Sequence, residues 1–200
     1  MLKRMNLPNK LTLLRIAIVP FIVACMLIDF PLNYFVAGLL FGAAAITDAF
    51  DGNIARKNNL ITDFGKFADP LADKILVISV LVCFLKAGLC GAIPLIIILF
   101  REFTVTSIRL VAAANGKVIA ANVWGKFKTI AQITAIGFIY AFWALIDFLK
   151  LFGVNVDPET SLLPGIFTLA GDILIWIVTI ITIISGIIYL KDNKEVISDM

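Results

Sequence analysis

Apolar runs of about bilayer length, separated by short polar breaks, dominate this chain. A helix needs about 20 apolar residues to cross a hydrocarbon core. Six segments meet that requirement, at about 11–29, 33–57, 64–87, 91–115, 123–149 and 161–190. The breaks fall at Asp29-Phe30-Pro31, Asn58-Asn59, Gly88 to Gly91, Asn115-Gly116 and Val156 to Pro164, where Gly and Pro are the expected punctuation. The pattern predicts an all-α integral membrane protein, a single domain over residues 1–200 with six transmembrane helices and a short N-terminal interfacial segment. Segments four to six are long and carry polar residues, so tilt or extension beyond the lipid is expected.

Composition supports that class. The chain is 61% hydrophobic and 16% charged, with a mean hydropathy of +1.03. A soluble domain carries about 45–50% apolar and about 25% charged residues. The first apolar run follows a basic start but lacks a small-residue cleavage site, which predicts an uncleaved first span. Lys3, Arg4 and Lys10 either meet anionic head groups or form a solvated basic end. No nucleic-acid partner is expected.

Charge sets the orientation. Of the 17 Lys and Arg residues, only Lys86 and Lys150 fall on the side opposite the termini. The positive-inside rule then places both termini in the cytoplasm, in a multi-pass protein of the cell membrane. The last opposite loop carries Asp157 and Glu159 instead. No internal repeat is visible, which weighs against an inverted-repeat transporter.

Cys25, Cys83 and Cys90 lie in or beside apolar runs at spacings that fit neither zinc nor a disulfide framework. They read as buried small side chains. Histidine is absent, which removes the commonest general base and transition-metal ligand. A metal site here would be all-oxygen and suited to Mg²⁺, Mn²⁺ or Ca²⁺.

The candidate chemistry lies in four aspartates. Segment two ends with Asp48 and Asp51, followed by Gly52, Ala55 and Arg56; segment three begins with Gly65, Asp69 and Asp73. Helical periodicity puts Asp48, Asp51 and Ala55 on one face, and Gly65, Asp69 and Asp73 on another. A short connection makes the helices antiparallel neighbours, so the four carboxylates can converge. Asp63 in the connection is expected to cap segment three. Asp48 precedes Lys57 by about 13 Å of helix, which places the cluster near the cytoplasmic interface. A carboxylate near the bilayer centre costs on the order of 3 kcal/mol. Two divalent cations would balance four of them, and two-metal sites suit phosphoryl chemistry. Gly52 and Ala55 leave room, and the Arg56 fork can grip a phosphate. The competing reading is a helix contact with the acids paired to Arg56, Lys66 and Lys74. Buried ion pairs of that kind are costly without a use.

The string resembles the signature of the CDP-alcohol phosphotransferases, D-x2-D-G-x2-A-R-x8-9-G-x3-D-x3-D, at Asp48, Asp51, Gly52, Ala55, Arg56, Gly65, Asp69 and Asp73. The resemblance implies a six-helix membrane fold, a homodimer, and transfer of a phosphate-linked group from a CDP-linked donor to an alcohol with release of CMP. It implies that Asp48, Asp51, Asp69 and Asp73 hold one or two Mg²⁺ or Mn²⁺ ions. It makes Asp73 the candidate general base, and Gly52, Ala55, Arg56 and Gly65 the lining of the CDP site. An aspartate near its reference pKa of about 3.9 is a weak base, so metal activation of the alcohol competes with that role.

Further stretches, NLPNKLTLLRIAIVP and REFTVTSIRLVAAANGKVIAANVWGKFKTIAQ, resemble members that use CDP-diacylglycerol as donor and glycerol 3-phosphate as acceptor. A dianionic acceptor needs fixed positive charge, and Arg101, Arg109, Lys126 and Lys128 are available, with Thr129 as an added hydroxyl. Snorkelling toward membrane lipids is the alternative for each cation. Asn9, Thr12 and Arg15 form a polar stripe that either meets the CDP donor or consists of a helix cap and an interfacial arginine. Trp124, Trp143 and Trp176 suit interfacial or packing roles, and Asp172 has no assigned role. The same chemistry on inositol phosphate, serine or phosphatidylglycerol is the nearest alternative function. A cation transporter built on buried acids is a remote one.

Overall fold

The computed structural model describes the backbone of residues 7–57, 63–114, 119, 122–154, 156 and 161–194. Within these it describes all side chains but those of 7–8, 48–57, 63–67, 69–70 and 114. Six helices are present: α1 Leu7–Leu27, α2 Asn33–Lys57, α3 Asp63–Lys86, α4 Ala92–Ala114, α5 Val123–Leu151 and α6 Leu162–Asp192. No strand occurs among the described residues. The helices follow the apolar segments closely. One departure is at the start, where helix already runs from Leu7 through the expected interfacial segment, so Asn9 lies inside α1 rather than capping it.

Local chemistry explains the ends. α3 and α5 each finish in a Schellman motif. Gly88 has φ of 73°, and Leu89 N–H donates to Phe84 C=O at 2.8 Å; Gly153 has φ of 79°, and Val154 N–H donates to Leu149 C=O at 3.0 Å. Glycine enters this left-handed conformation without a Cβ clash. α5 starts under Asn122, whose side chain accepts from Gly125 N–H at 2.9 Å. The N–H of Tyr34 in the first turn of α2 is satisfied by Asn33 at 2.9 Å and by Asp147 of α5 at 3.0 Å.

α1 (Asn9–Leu27), α5 and α6 are each long and apolar enough to cross a membrane, and α2 contributes a shorter apolar stretch, Asn33–Thr47. α4 carries Arg101, Glu102 and Arg109, which interrupt its apolar run. The surface is that of a membrane-embedded protein. Phe21, Phe100, Phe103 and Leu169 are exposed, whereas Thr12, Arg15, Lys128, Gln132, Thr179, Thr182 and Ser185 are buried. A water-facing protein shows the reverse distribution of charge and large apolar groups.

The packing neighbours close on themselves: α1 lies against α2 and α3, α2 against α5, α5 against α6, α6 against α4, and α4 against α3. The core runs through all six helices, with Ile22, Phe41, Phe84, Ile98, Ile139 and Ile175 among its members. Tyr140 is its hub, with ring centroids 5.8 Å from Phe41 and 5.1 Å from Phe84. Gly38 of α2 faces that hub, and a Cβ there would meet the Tyr140 Cβ at 3.0 Å. Gly38→Val should therefore overpack the α2–α5 contact and cost about 1–3 kcal/mol. A fall in thermal midpoint in detergent checks this; an unchanged midpoint would show that α2 and α5 separate freely.

Candidate active site at the polar end of the bundle

The helix order gathers the starts of α1, α3 and α5 with the ends of α2, α4 and α6. Side-chain contacts report this end: Arg101 of α4 reaches Ser185 of α6, and the Arg109 guanidinium lies 5.4 Å from the Tyr189 ring centroid. Tyr34, Trp143 and Asp147 meet at the other end. Every candidate site residue belongs to the first group, and together they come from α1 to α5, with α6 supplying Ser185 and Tyr189 as contacts.

Asn9, Thr12 and Arg15 recur at three-residue spacing on α1, and all are buried. Arg15 is 1% exposed, so it is enclosed by the bundle instead of reaching outward. α1 packs on α2 and α3, the two helices that carry the signature. Asp48, Asp51, Gly52, Ala55 and Arg56 lie on helical backbone that continues to Lys57, and Gly65 and Asp69 on helix that starts at Asp63. The periodicity expected of them holds for the backbone. Their side chains, with the capping expected of Asp63, lie outside the described residues.

Asp73 is described. It lines a cavity of about 20 Å³ together with Lys74, Glu102, Lys128, Thr129 and Gln132. That volume holds about one water molecule. Behind it stands an ion group that joins three helices. Glu102 Oε1 accepts from Arg101 at 2.9 Å and from Lys128 Nζ at 2.7 Å, and Arg101 donates further to Ser185 Oγ at 2.8 Å. Lys128 is buried, and the Glu102 side chain is 16% exposed. With Lys74 and Asp73 of the same cavity counted, three cations (Lys74, Arg101, Lys128) face two carboxylates (Asp73, Glu102), which leaves one positive charge in excess.

The other acceptor candidates separate. Arg109 turns inward onto buried Tyr189. Lys126 is exposed. Thr129 lines the cavity, but its hydroxyl donates to Gly125 C=O at 3.1 Å. The structure thus brings Asp73, Lys128 and Thr129 around one cavity, places Arg101 on the same ion group, and leaves Lys126 at the surface.

Glu102, Gln132 and Ser185 are absent from the sequence-derived candidates. The available signal for Glu102 was an acid beside Arg101 in an apolar helix, where charge is expensive. Ser185 extends a buried stripe of Thr179 and Thr182 at three-residue spacing on α6. Cys83 and Cys90 are buried free thiols, as expected of packing residues. Burial, with Asp172 nearby, pushes the Cys90 thiol up to about 11, so it stays protonated.

No cluster of three metal-ligating side chains occurs among the described residues, and Asp73 is the one signature carboxylate described. The signature's donor set consists of carboxylate oxygens, which fit Mg²⁺ or Mn²⁺.

Comparison with known proteins bears on the same residues. The profile of the CDP-alcohol phosphatidyltransferase family matches residues 5–184. The chain is 39% identical to the CDP-diacylglycerol–glycerol-3-phosphate 3-phosphatidyltransferase of Bacillus subtilis (strain 168), over 95% of this chain and 96% of that protein. It is 39% identical to the protein of that name from Rickettsia bellii, over 95% and 96% of the two chains. The one from Haemophilus influenzae is 32% identical, over 98% and 97%.

Proposed function

This chain belongs to the CDP-alcohol phosphatidyltransferase family, and from that premise we propose that it moves the phosphatidyl group of CDP-diacylglycerol onto glycerol 3-phosphate. The products are phosphatidylglycerophosphate and CMP. The observation that carries this reading is the meeting of Asp73 with Lys128 and Thr129 around one cavity, backed by Arg101 and Glu102.

The acceptor hydroxyl oxygen attacks the phosphorus that bears diacylglycerol. The bond from that phosphorus to the bridging oxygen breaks, and CMP leaves with the electron pair. The hydroxyl proton passes to the Asp73 carboxylate or to water. Arg101 and Lys128, with Arg109 behind them, bind the acceptor's phosphate and orient its hydroxyl toward Asp73. Lys126 meets incoming anions at the surface. Asn9, Thr12, Arg15, Gly52, Ala55, Arg56 and Gly65 form the CDP side. Asp48, Asp51, Asp69 and Asp73 would hold one or two Mg²⁺ or Mn²⁺ ions, which when bound offset charge on the phosphate oxygens.

In this reading all six helices span the cell membrane, with the site and both termini in the cytoplasm, as the basic residues on that side support. A homodimer accords with the signature.

An acceptor panel tests the proposal. Purified protein receives CDP-diacylglycerol with labelled glycerol 3-phosphate, inositol phosphate, serine or phosphatidylglycerol. Labelled lipid and stoichiometric CMP are expected with glycerol 3-phosphate alone. Faster transfer to any other acceptor overturns the acceptor assignment.

A further inference from the structure

We propose that Glu102 is a positioning residue for the acceptor's phosphate, holding Arg101 and Lys128 on one carboxylate oxygen and so setting the spacing of the two cations that grip the anion. The inference rests on the reading of Arg101 and Lys128 as acceptor-phosphate ligands.

Three observations carry it. The first is the shared oxygen: Arg101 Nη1 at 2.9 Å and Lys128 Nζ at 2.7 Å both meet Glu102 Oε1. Two cations that close repel strongly where the dielectric is low, and an anion between them makes the arrangement possible. Lys128 is 3% exposed, and a buried ammonium without a counterion gives up its proton or moves toward water.

The second is the grip on Arg101. Its Nη2 donates to Ser185 Oγ at 2.8 Å, and its stem passes over Gly186, where a Cβ would lie 3.1 Å from the arginine Cγ. α6 thus fixes one side of the guanidinium while Glu102 fixes the other. The third is location: Glu102, Lys128 and Asp73 line the same cavity. A phosphate oxygen bridging the two cations would repeat the geometry that the carboxylate already imposes. The excess positive charge is what remains to bind it.

A salt bridge that merely staples α4 to α5 would affect folding and both substrates alike. Initial rates of the purified full chain separate the two cases. With glycerol 3-phosphate varied at saturating CDP-diacylglycerol, Glu102→Gln should raise the acceptor KM about tenfold or more, the size of a lost charge-assisted hydrogen bond. The donor KM should move less than about twofold, because the CDP side lies on other helices. Glu102→Asp should recover part of the loss. Adding Glu102→Gln to Lys128→Ala should cost less than the two separate losses combined, since the Lys128 contact is shared by both while the Arg101 contact is lost only with Glu102. If Lys128→Ala raises the acceptor KM and Glu102→Gln leaves it unchanged, the positioning role is overturned while the acceptor reading stands. If neither Arg101→Ala nor Lys128→Ala moves the acceptor KM, the acceptor reading falls and takes this inference with it. Should Glu102→Gln not fold, Glu102→Asp keeps the charge and shortens the reach. It is then expected to raise the acceptor KM alone, and equal rises for both substrates would overturn the proposal.

Discussion

Asp73→Asn should abolish turnover, leaving less than about one-thousandth of wild-type CMP release, the combined scale of a lost general base and a lost metal ligand. Asparagine keeps the size and shape of the side chain and removes its charge. Asp73 lines the cavity it shares with Lys128 and Thr129, so it stands where an acceptor hydroxyl would be delivered. Its neighbours on α3 are core residues, Ala72 at 0% and Leu76 at 2% exposure, which holds the backbone in register. The substitution should therefore leave the fold intact. CMP release measured beside thermal unfolding in detergent decides the matter. Wild-type turnover in a folded Asp73→Asn protein would remove Asp73 from the chemistry. A loss restricted to KM would make it a binding residue only.

Stripping divalent cations should stop the reaction, with a fall of about 100-fold or more that added Mg²⁺ or Mn²⁺ reverses. The expectation comes from the donor set. Four carboxylates on two helices repel one another and need positive charge to coexist at low dielectric. With no histidine in the chain and no cysteine among the described residues that line the Asp73 cavity, oxygen is the available ligand. Hard cations follow from that. CMP release after exhaustive chelation, with each ion then titrated back, is the measurement. Full turnover without divalent ions would overturn the metal assignment, and restoration by Zn²⁺ alone would contradict the oxygen-donor argument.

Much of the architecture was legible because lipid imposes a simple rule. Backbone polar groups must be satisfied within each segment, so apolar runs of spanning length become helices. The expected breaks at Asp29–Pro31 and Gly88 follow the ends of α1 and α3, Gly88 through its left-handed backbone, a local property, whereas α5 ends just before Gly153, ahead of the expected break at Val156. The signature was legible for a related reason, since several charges at fixed helical spacing in an apolar chain require a shared purpose. Departures arose where long-range contacts decide. Asn9 reads locally as a cap, yet the helix begins before it and the residue is buried. Arg15 reads equally well as interfacial, and the packing of α1 on α2 and α3 encloses it.

The acceptor end shows the division most clearly. Arg101, Lys128, Arg109 and Lys126 are alike as cations in an amino-acid string, and periodicity places each on a helix without saying what stands opposite. Tertiary structure separates them: Arg101 and Lys128 share Glu102, Arg109 stacks on Tyr189, and Lys126 stays exposed. Glu102 is a lone acid beside an arginine, a pair that looks self-satisfied along one helix. Its meaning depends on Lys128, 26 residues away. The sequence by itself determined the helices, which follow from periodicity and hydropathy, and the class of chemistry, which follows from the signature's resemblance to its family. Only the tertiary structure decided which cations share a carboxylate and which face the cavity, because burial and ion pairing are set by how α4, α5 and α6 pack.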